Sequence, residues 1–507
     1  MPGYADDGVS GLFAEFRSAA AAMEEWAAGP VAAGLDHARL EKEIGARGQR
    51  LEQLLWQAHL DLRAVREERL AEVRAADGSV RPRAEKGRCR QLATTAGTVT
   101  VTRIGYRAPG AAMVYPADEQ LSLPARKYSL GLRELAAVEA ARGSFDDDGE
   151  AVFRATGVRI AKRQIEELAR AAAADFGSFY ARRARAAVPA AGDVLVLQAD
   201  GKGIRMRPGS LRPAAARQAA RAAPKQQGRL SRGEVGTRRR MAETGAVYTI
   251  TPAPRTAGDI LSPPVPGSPH APGGAPDAPR ARDKWLTASV AGTAAQVIAA
   301  VFAEAGRRDP GHALTWTALV DGNKDQIAWI KAEAAARGIK VAITIDIIHV
   351  SEYLWDAAWC FFPEASPDAG PWVRDQLRAI LDGGARQVAA VIRDRAAGTG
   401  SLSRNKHKTA EKTARYLHAK APFLDYPAAL KAGWPISTGV IEGACRHLVK
   451  DRMDITGARW STEGAEAILK LRAIRANGDW DDYWAWHQLQ EHRRTYRNHR
   501  NSWQLAA

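Results

Sequence analysis

The stretch Val194-Leu195-Val196-Leu197-Gln198-Ala199-Asp200-Gly201 runs apolar from its start and stops on a carboxylate. A short apolar run rich in β-branched residues and closed by a turn signal reads as a buried strand. The pattern returns twice downstream: Leu314-Thr-Trp-Thr-Ala-Leu-Val320 leads into Asp321-Gly322, and Val341-Ala-Ile-Thr-Ile345 leads into Asp346. Between Asp200 and Leu314 stand two more strand candidates, Ala246-Val-Tyr-Thr-Ile250 and Lys284-Trp-Leu-Thr-Ala-Ser-Val290. Helical spacing places Val297, Ile298, Val301 and Phe302 on one side of a helix over Ala294 to Glu304, and Gln326 to Ala336 reads as another. Three strands, a helix, a strand, a helix and a strand predict a mixed α/β sheet with helices on its faces.

A third acid, Glu442, lies in Gly439-Val-Ile-Glu-Gly-Ala-Cys-Arg-His-Leu-Val-Lys450. Ile436, Val440, Ile441, Leu448 and Val449 give this helix an apolar side, while Glu442, Arg446 and Lys450 recur every four residues on another. Glu with Arg at i+4 also makes an ordinary helix ion pair worth a few tenths of a kcal/mol. Asp-Gly also makes ordinary tight turns. Carboxylates at strand ends and on a packed helix suit hard divalent cations, which take oxygen ligands.

The chain has 507 residues, enough for several domains, with 73 Lys and Arg against 57 Asp and Glu, a net charge of +16. That imbalance favours a polyanionic partner, with counterion release supplying affinity. Arg- and Ala-rich coding sequence produces the same imbalance without a function. Cys89, Cys360 and Cys445 are far apart, so neither a zinc ribbon nor a disulfide framework is expected, and a reduced, cytoplasmic setting follows. The early acids Asp6, Asp7 and Glu15 do not fit a signal peptide, and no apolar run is long enough for a membrane span. No Gly-x-x-x-x-Gly-Lys-Ser/Thr loop occurs, so ATP use is not indicated.

Five regions are expected: a helical 1–90, a DNA-binding 91–190, a sheet core 191–350 with an insertion over 205–283, a helical insertion 351–433, and 434–507 with Glu442 and an aromatic tail. Residues 35–75 read as a long amphipathic helix, and Thr98 to Tyr106 as a strand. Gly157 falls between two short helices in a helix–turn–helix-like pattern whose second helix starts with Arg159, Lys162, Arg163 and Gln164. Such side chains reach phosphates or base edges in a major groove, though any two helices joined by Thr-Gly look alike. Arg212 to Arg240 is basic and Pro252 to Pro279 is rich in Pro and Gly, which predicts an exposed loop. The tail holds Trp480, Tyr483, Trp484, Trp486 and His487, then His492, Arg493, Arg494, Arg497, His499 and Arg500. It reads as a helix pinned by its aromatics, with base stacking as the other use of the same residues.

Taken together, Gln-Ala-Asp200-Gly-Lys-Gly, Leu-Val-Asp321-Gly-Asn, Ile-Asp346-Ile-Ile-His349, Gly-Val-Ile-Glu442-Gly-Ala-Cys-Arg-His, Tyr115-Pro-Ala-Asp-Glu and Gly457-Ala-Arg-Trp460 resemble bacterial insertion-sequence transposases of the ISKra type. The resemblance spans about residues 95–490 and implies a DDE transposase with a ribonuclease-H-like core. Such an enzyme binds the terminal inverted repeats of its element as an oligomer, cuts DNA and joins the freed 3′ ends to target DNA. It implies two Mg²⁺ or Mn²⁺ ions held by Asp200, Asp321 and Glu442 as catalytic residues. Asp346 with His349 is the alternative second acid or a supporting pair, and Arg446 and Lys450 are expected on phosphates. Members often carry a cysteine cluster near the N-terminus; here Cys89 stands alone. The other reading is a transposase-derived DNA-binding protein without catalysis.

Overall fold

The structure is a computed structural model that describes residues 10–75, 78–183, 189–221, 239–261, 278–400, 402–455 and 457–497. Much of the basic and Pro/Gly-rich insertion, and His499 and Arg500 of the tail, lie outside these residues. The chain divides into two compact units, Met1–Arg182 with Asp479–Ala507, and Arg183–Gly478. The tail therefore folds with the first unit, rather than with the Glu442 segment where its sequence neighbours had placed it.

The first unit opens with helices α1 (Ala14–Ala28) and α2 (His37–Arg66). Asp36 caps α2 by accepting the Arg39 N–H, and the helix stops at Arg66, short of the expected residue 75. Strands β1 (Arg83–Thr94) and β2 (Gly97–Arg107) form an antiparallel hairpin. The second is the predicted strand. The first was not legible, because Arg83, Glu85, Lys86, Arg88 and Arg90 hide any apolar alternation before Leu92. Leu60, Leu92, Val99, Val101 and Leu123 make a core between α2 and the hairpin.

Four helices follow: α3 (Leu130–Arg142), α4 (Phe145–Thr156), α5 (Lys162–Ala172) and α6 (Phe176–Arg182). Ser129 and Ser144 cap α3 and α4 through their side chains. Gly157 ends α4 with φ 68°, the left-handed conformation that glycine adopts without a Cβ clash. Leu132, Ala136, Val152, Ile165 and Leu168 are buried where α3, α4 and α5 pack.

The second unit is α/β. Its sheet contains β3 (Val194–Arg205), β4 (Arg239–Ile250), β5 (Arg282–Ser289), β6 (Thr315–Val320) and β7 (Val341–Ile345). The spatial order is β5-β4-β3-β6-β7. Strands β3, β4 and β5 pair antiparallel, while β3–β6 and β6–β7 pair parallel. Strand β3 is central, so Val194 to Leu197 are buried on both faces, which explains their unbroken apolar run. It also continues past Asp200 to Arg205, so Asp200-Gly201 is extended strand and not a turn.

Helix α7 (Ala294–Arg308) is fixed at its start by a Thr293/Gln296 capping box and covers one face of the sheet. There Gly245 leaves room for Val301, whose methyl lies 2.5 Å from where a Cβ would stand. Helix α8 (Lys324–Ala336) links β6 to β7. Between 347 and 431 the regular structure among the described residues is helical: α9 (Ile347–Phe361), α10 (Ala369–Leu381), α11 (Ala385–Gly398), α12 (Arg404–Lys420), a 3-10 turn at Ala421–Phe423 and a short helix at Tyr426–Lys431. The short helix α13 (Gly439–Ala444) carries Glu442 and passes into a π-helical turn, Cys445–Lys450. Trp434 and Val440 pack on Val194, Val196 and Leu319, the sheet face opposite α7. Helix α14 (Thr462–Ala476) packs along β5.

The last helix, α15 (Trp480–His492), belongs to the first unit. Tyr483, Trp484 and His487 are buried, as expected of a helix pinned by its aromatics. No helix among the described residues is long and apolar enough to cross a membrane.

Candidate functional site

Strand register brings three aspartates to one end of the sheet. The last β3–β6 pair is Gln198 with Leu319, and two residues further along each strand stand Asp200 and Asp321. The last β6–β7 pair is Val320 with Ile345, and the next residues are Asp321 and Asp346. Side chains alternate along a strand, so Val194, Val196, Gln198 and Asp200 share the face that α13 covers. Leu319 with Asp321, and Thr344 with Asp346, fall on that same face by register.

Two contacts, one from α13 and one from the π-helical turn that follows it, fix this segment to the sheet. The Gln198 side chain, 1 % exposed, accepts the Ile441 N–H at 2.9 Å and donates to the Tyr248 hydroxyl at 3.0 Å. It thereby satisfies one of the orphan donors in the first turn of α13. The Cys445 thiol donates to Asp200 Oδ2 at 3.3 Å, while Asp200 Oδ1 accepts the Gly201 N–H. Burial, reinforced by the Asp200 charge, pushes the Cys445 thiol up to about 12, so it stays a neutral donor at neutral pH.

Asp346 is 3 % exposed and caps α9 by accepting the Ile348 N–H. Its carboxylate also accepts the Thr438 N–H at 3.3 Å and the Thr438 hydroxyl at 2.9 Å. The same hydroxyl lies 3.1 Å from Glu442 Oε1. One hydroxyl proton serves one acceptor at a time, so Thr438 can donate to either carboxylate and stands between the two. Thr438→Val is expected to lower stability by about 1–2 kcal/mol, since a buried Asp346 oxygen loses its donor. Thr438→Ser should restore the denaturation midpoint; equal midpoints for all three proteins would refute that contact.

Asp321 accepts the Asn323 N–H at 2.9 Å, closing the tight turn at Gly322, where φ is 91°. Here the ordinary Asp-Gly turn is realised. The Tyr416 hydroxyl donates to the Asp321 carbonyl at 3.2 Å and lies 2.6 Å from where a Gly322 Cβ would stand, so this position needs glycine. Burial pushes the Tyr416 phenol up, and the Tyr353, Asp321 and Asp346 charges act in the same direction. Tyr416 stacks on Tyr353 at 3.9 Å, with His349 edge-on to both rings. His349 also approaches Glu352 at 3.3 Å.

Several residues of this end of the sheet went unread in the sequence. Gln198 and Cys445 lie inside the quoted stretches but carry no signal of their own. Thr438 and Tyr416 act through contacts made across long sequence distances. Glu243 is a further acid on β4, paired opposite Gly201. Burial raises its carboxyl, Arg212 opposes this, and the Asp200 charge adds to the rise.

Glu442, Arg446 and Lys450 are exposed, as are Arg159, Lys162 and Arg163 of the first unit. Lys162 pairs with Asp146, Arg163 with Glu167, and the Arg159 guanidinium lies 3.9 Å from the Phe153 ring centre. Gln164 accepts the Tyr128 hydroxyl at 2.5 Å, so its amide oxygen is already engaged.

The oxygen donors suit Mg²⁺ by chemistry. As arranged, they do not gather: among the described residues no three His, Cys, Asp or Glu side chains form a group able to hold a metal ion. Each of Asp200, Asp321 and Glu442 instead accepts a hydrogen bond from its own surroundings.

The three cysteines are free, with Cys89 exposed and Cys360 and Cys445 buried. A thiol reagent should therefore modify one cysteine rapidly in the native protein and all three after denaturation. Fast labelling at Cys445 would contradict the packing of α13 on β3. No family model and no curated protein matches the chain.

Proposed function

We propose that the protein is a DDE transposase of an insertion sequence. The observation that carries the reading is the shared register of Asp200, Asp321 and Asp346, with Glu442 tied to Asp346 through Thr438. We read the sheet order β5-β4-β3-β6-β7, with its pairing directions, as a ribonuclease-H-like core and α9–α12 as its helical insertion. Strand β6 adjoins β3, whereas β7 lies one strand further away, and Asp346 is occupied as a helix cap and by Thr438. This favours Asp321 as the second acid and Asp346 as a positioning residue.

In this reading Asp200, Asp321 and Glu442 would be the residues that hold Mg²⁺ or Mn²⁺, and the chemistry supplied there would be activation of the attacking hydroxyl and charge stabilisation at the leaving 3′ oxygen. The three side chains must leave their present hydrogen bonds to do so. The α4–α5 pair with Gly157 at its turn is the proposed end-reading module, with Arg159, Lys162 and Arg163 towards phosphates. Gln164 contributes to base reading only after release from Tyr128. Arg446 and Lys450 face substrate phosphates beside Glu442. The partners are element ends and target DNA, engaged by an oligomer.

The experiment is strand transfer by the purified protein, given the element's own ends and Mg²⁺ or Mn²⁺. Joined product dependent on the cation supports the reading. End binding without any joined product would establish the second reading, a DNA-binding protein without catalysis. The observation that favours that alternative is that Asp200, Asp321 and Glu442 are each engaged in a hydrogen bond with their own surroundings.

A further inference from the structure

Helix α12 has 17 residues, of which six are Lys or Arg and one is Glu. Its inner face buries Ala410, Thr413, Ala414 and Leu417. The outer face presents Arg404, Lys408, Lys412 and Arg415 at helical spacing, all exposed. Glu411, the acid on this face, meets Arg393 of α11 at 3.4 Å, so it leaves the cationic side chains around it unneutralised in sum. Such a run is ordinarily a solvated surface, but two features set this one apart.

The first is where it ends. The turn bearing Lys412, Arg415 and Tyr416 is the turn that touches the candidate site, through the Tyr416 hydroxyl on the Asp321 carbonyl. The second is the aromatic ledge beside it: the Lys412 ammonium lies 5.3 Å from the ring centre of Tyr353, which stacks on Tyr416. The basic face extends from Arg404 to Arg415, about 16 Å along the helix axis. A duplex carries one charge per about 1.7 Å of its axis, so a stripe of this length meets several phosphates.

We propose that the outer face of α12 binds the phosphate backbone of duplex DNA and leads it to the sheet end at Asp321. The inference rests on the function proposed above and gives that site its substrate track. Arg404 and Lys408 hold the backbone away from the acids, and Lys412 and Arg415 hold it at the last turn before them. Unlike the α4–α5 module, this surface contacts no bases, so it binds without sequence preference.

The test uses the full chain and a labelled duplex of arbitrary sequence, with affinity measured across a salt series. The triple variant Lys408→Gln, Lys412→Gln and Arg415→Gln should lower the slope of log affinity against log salt by roughly 2–3, at about 0.9 per lost contact. Arg374→Gln, Arg378→Gln and Arg386→Gln, on the exposed sides of α10 and α11, should leave it unchanged. Should the triple variant fail to fold, the single variants should each lower the slope by about 0.9. An unchanged slope overturns the proposal, and so does an equal loss in the control triple. Retained DNA binding with lost binding to phosphatidylserine vesicles also overturns it, and assigns the face to a membrane. A chain that shows the slope loss but never joins DNA ends keeps this inference and sinks the transposase reading. One that joins ends with an unchanged slope does the reverse.

Discussion

If the protein is the transposase proposed above, Asp200→Asn, Asp321→Asn and Glu442→Gln should each cut strand transfer by roughly a thousandfold or more, about 4 kcal/mol of barrier. Each substitution keeps the size of the side chain and removes the charge a divalent cation needs. End binding should change little, because none of the three lies among the cations assigned to DNA. The contrasting variant is Asp346→Asn. If Asp346 positions Glu442 through Thr438, its loss should be smaller and should come with lower thermal stability. A larger loss at Asp346 than at Asp321, with stability intact, would exchange the two assignments.

The second large effect is on stability and lies in the first unit. Asp175, 5 % exposed, accepts a hydrogen bond from His487 at 2.7 Å and two from Arg494, at 2.7 and 2.8 Å. Burial alone would raise its carboxyl, but these bonds outweigh burial and hold it below the ordinary range. Asp175→Asn should cost on the order of 3 kcal/mol, because the buried His487 loses its partner and Arg494 its bidentate one. Arg494 is partly in water, which keeps the loss towards the lower end. The sign of the pH effect follows from the lowered value. The bond contributes fully above the unfolded carboxyl's titration near 3.8 and fades as pH falls through the folded one. The variant should therefore lose part of the acid limb of the stability curve. Equal denaturation midpoints for wild type and variant at neutral pH would remove the argument.

Much of the second unit was legible in its sequence because a central strand buried on both faces must be apolar throughout. Val194 to Leu197 and Ala318 to Val320 announce themselves in that way, and each run ends on an acid. The ends of strands were less legible. Strand β3 runs on through Gly201 and Gly203, and β4 starts at Arg239, because the β3–β4 ladder continues where composition no longer marks a strand. A Cβ at 201 would stand 3.0 Å from Glu243 Oε2 and Met241 Cε, the free ends of two flexible side chains, so a larger residue there needs only those ends to shift. The acids themselves were readable, but their neighbours were not. Thr438 and Gln198 matter through partners 92 and 243 residues away, and no local pattern encodes such pairs. The tail's aromatics predicted burial correctly. They did not say against what, since a Trp or Tyr packs on any apolar surface that topology brings near.

The late position of these aromatics in the chain affects how the protein is made. The first unit is closed by Tyr483, Trp484, His487 and Arg494, residues that leave the ribosome some 300 positions after Asp175. During translation the amino-terminal segment therefore waits, with the apolar bed of α15 uncovered, until the whole sheet unit has been synthesised. Prematurely terminated chains never receive that covering helix. Such chains would leave the bed of α15 exposed to solvent and more open to proteolysis than the finished first unit.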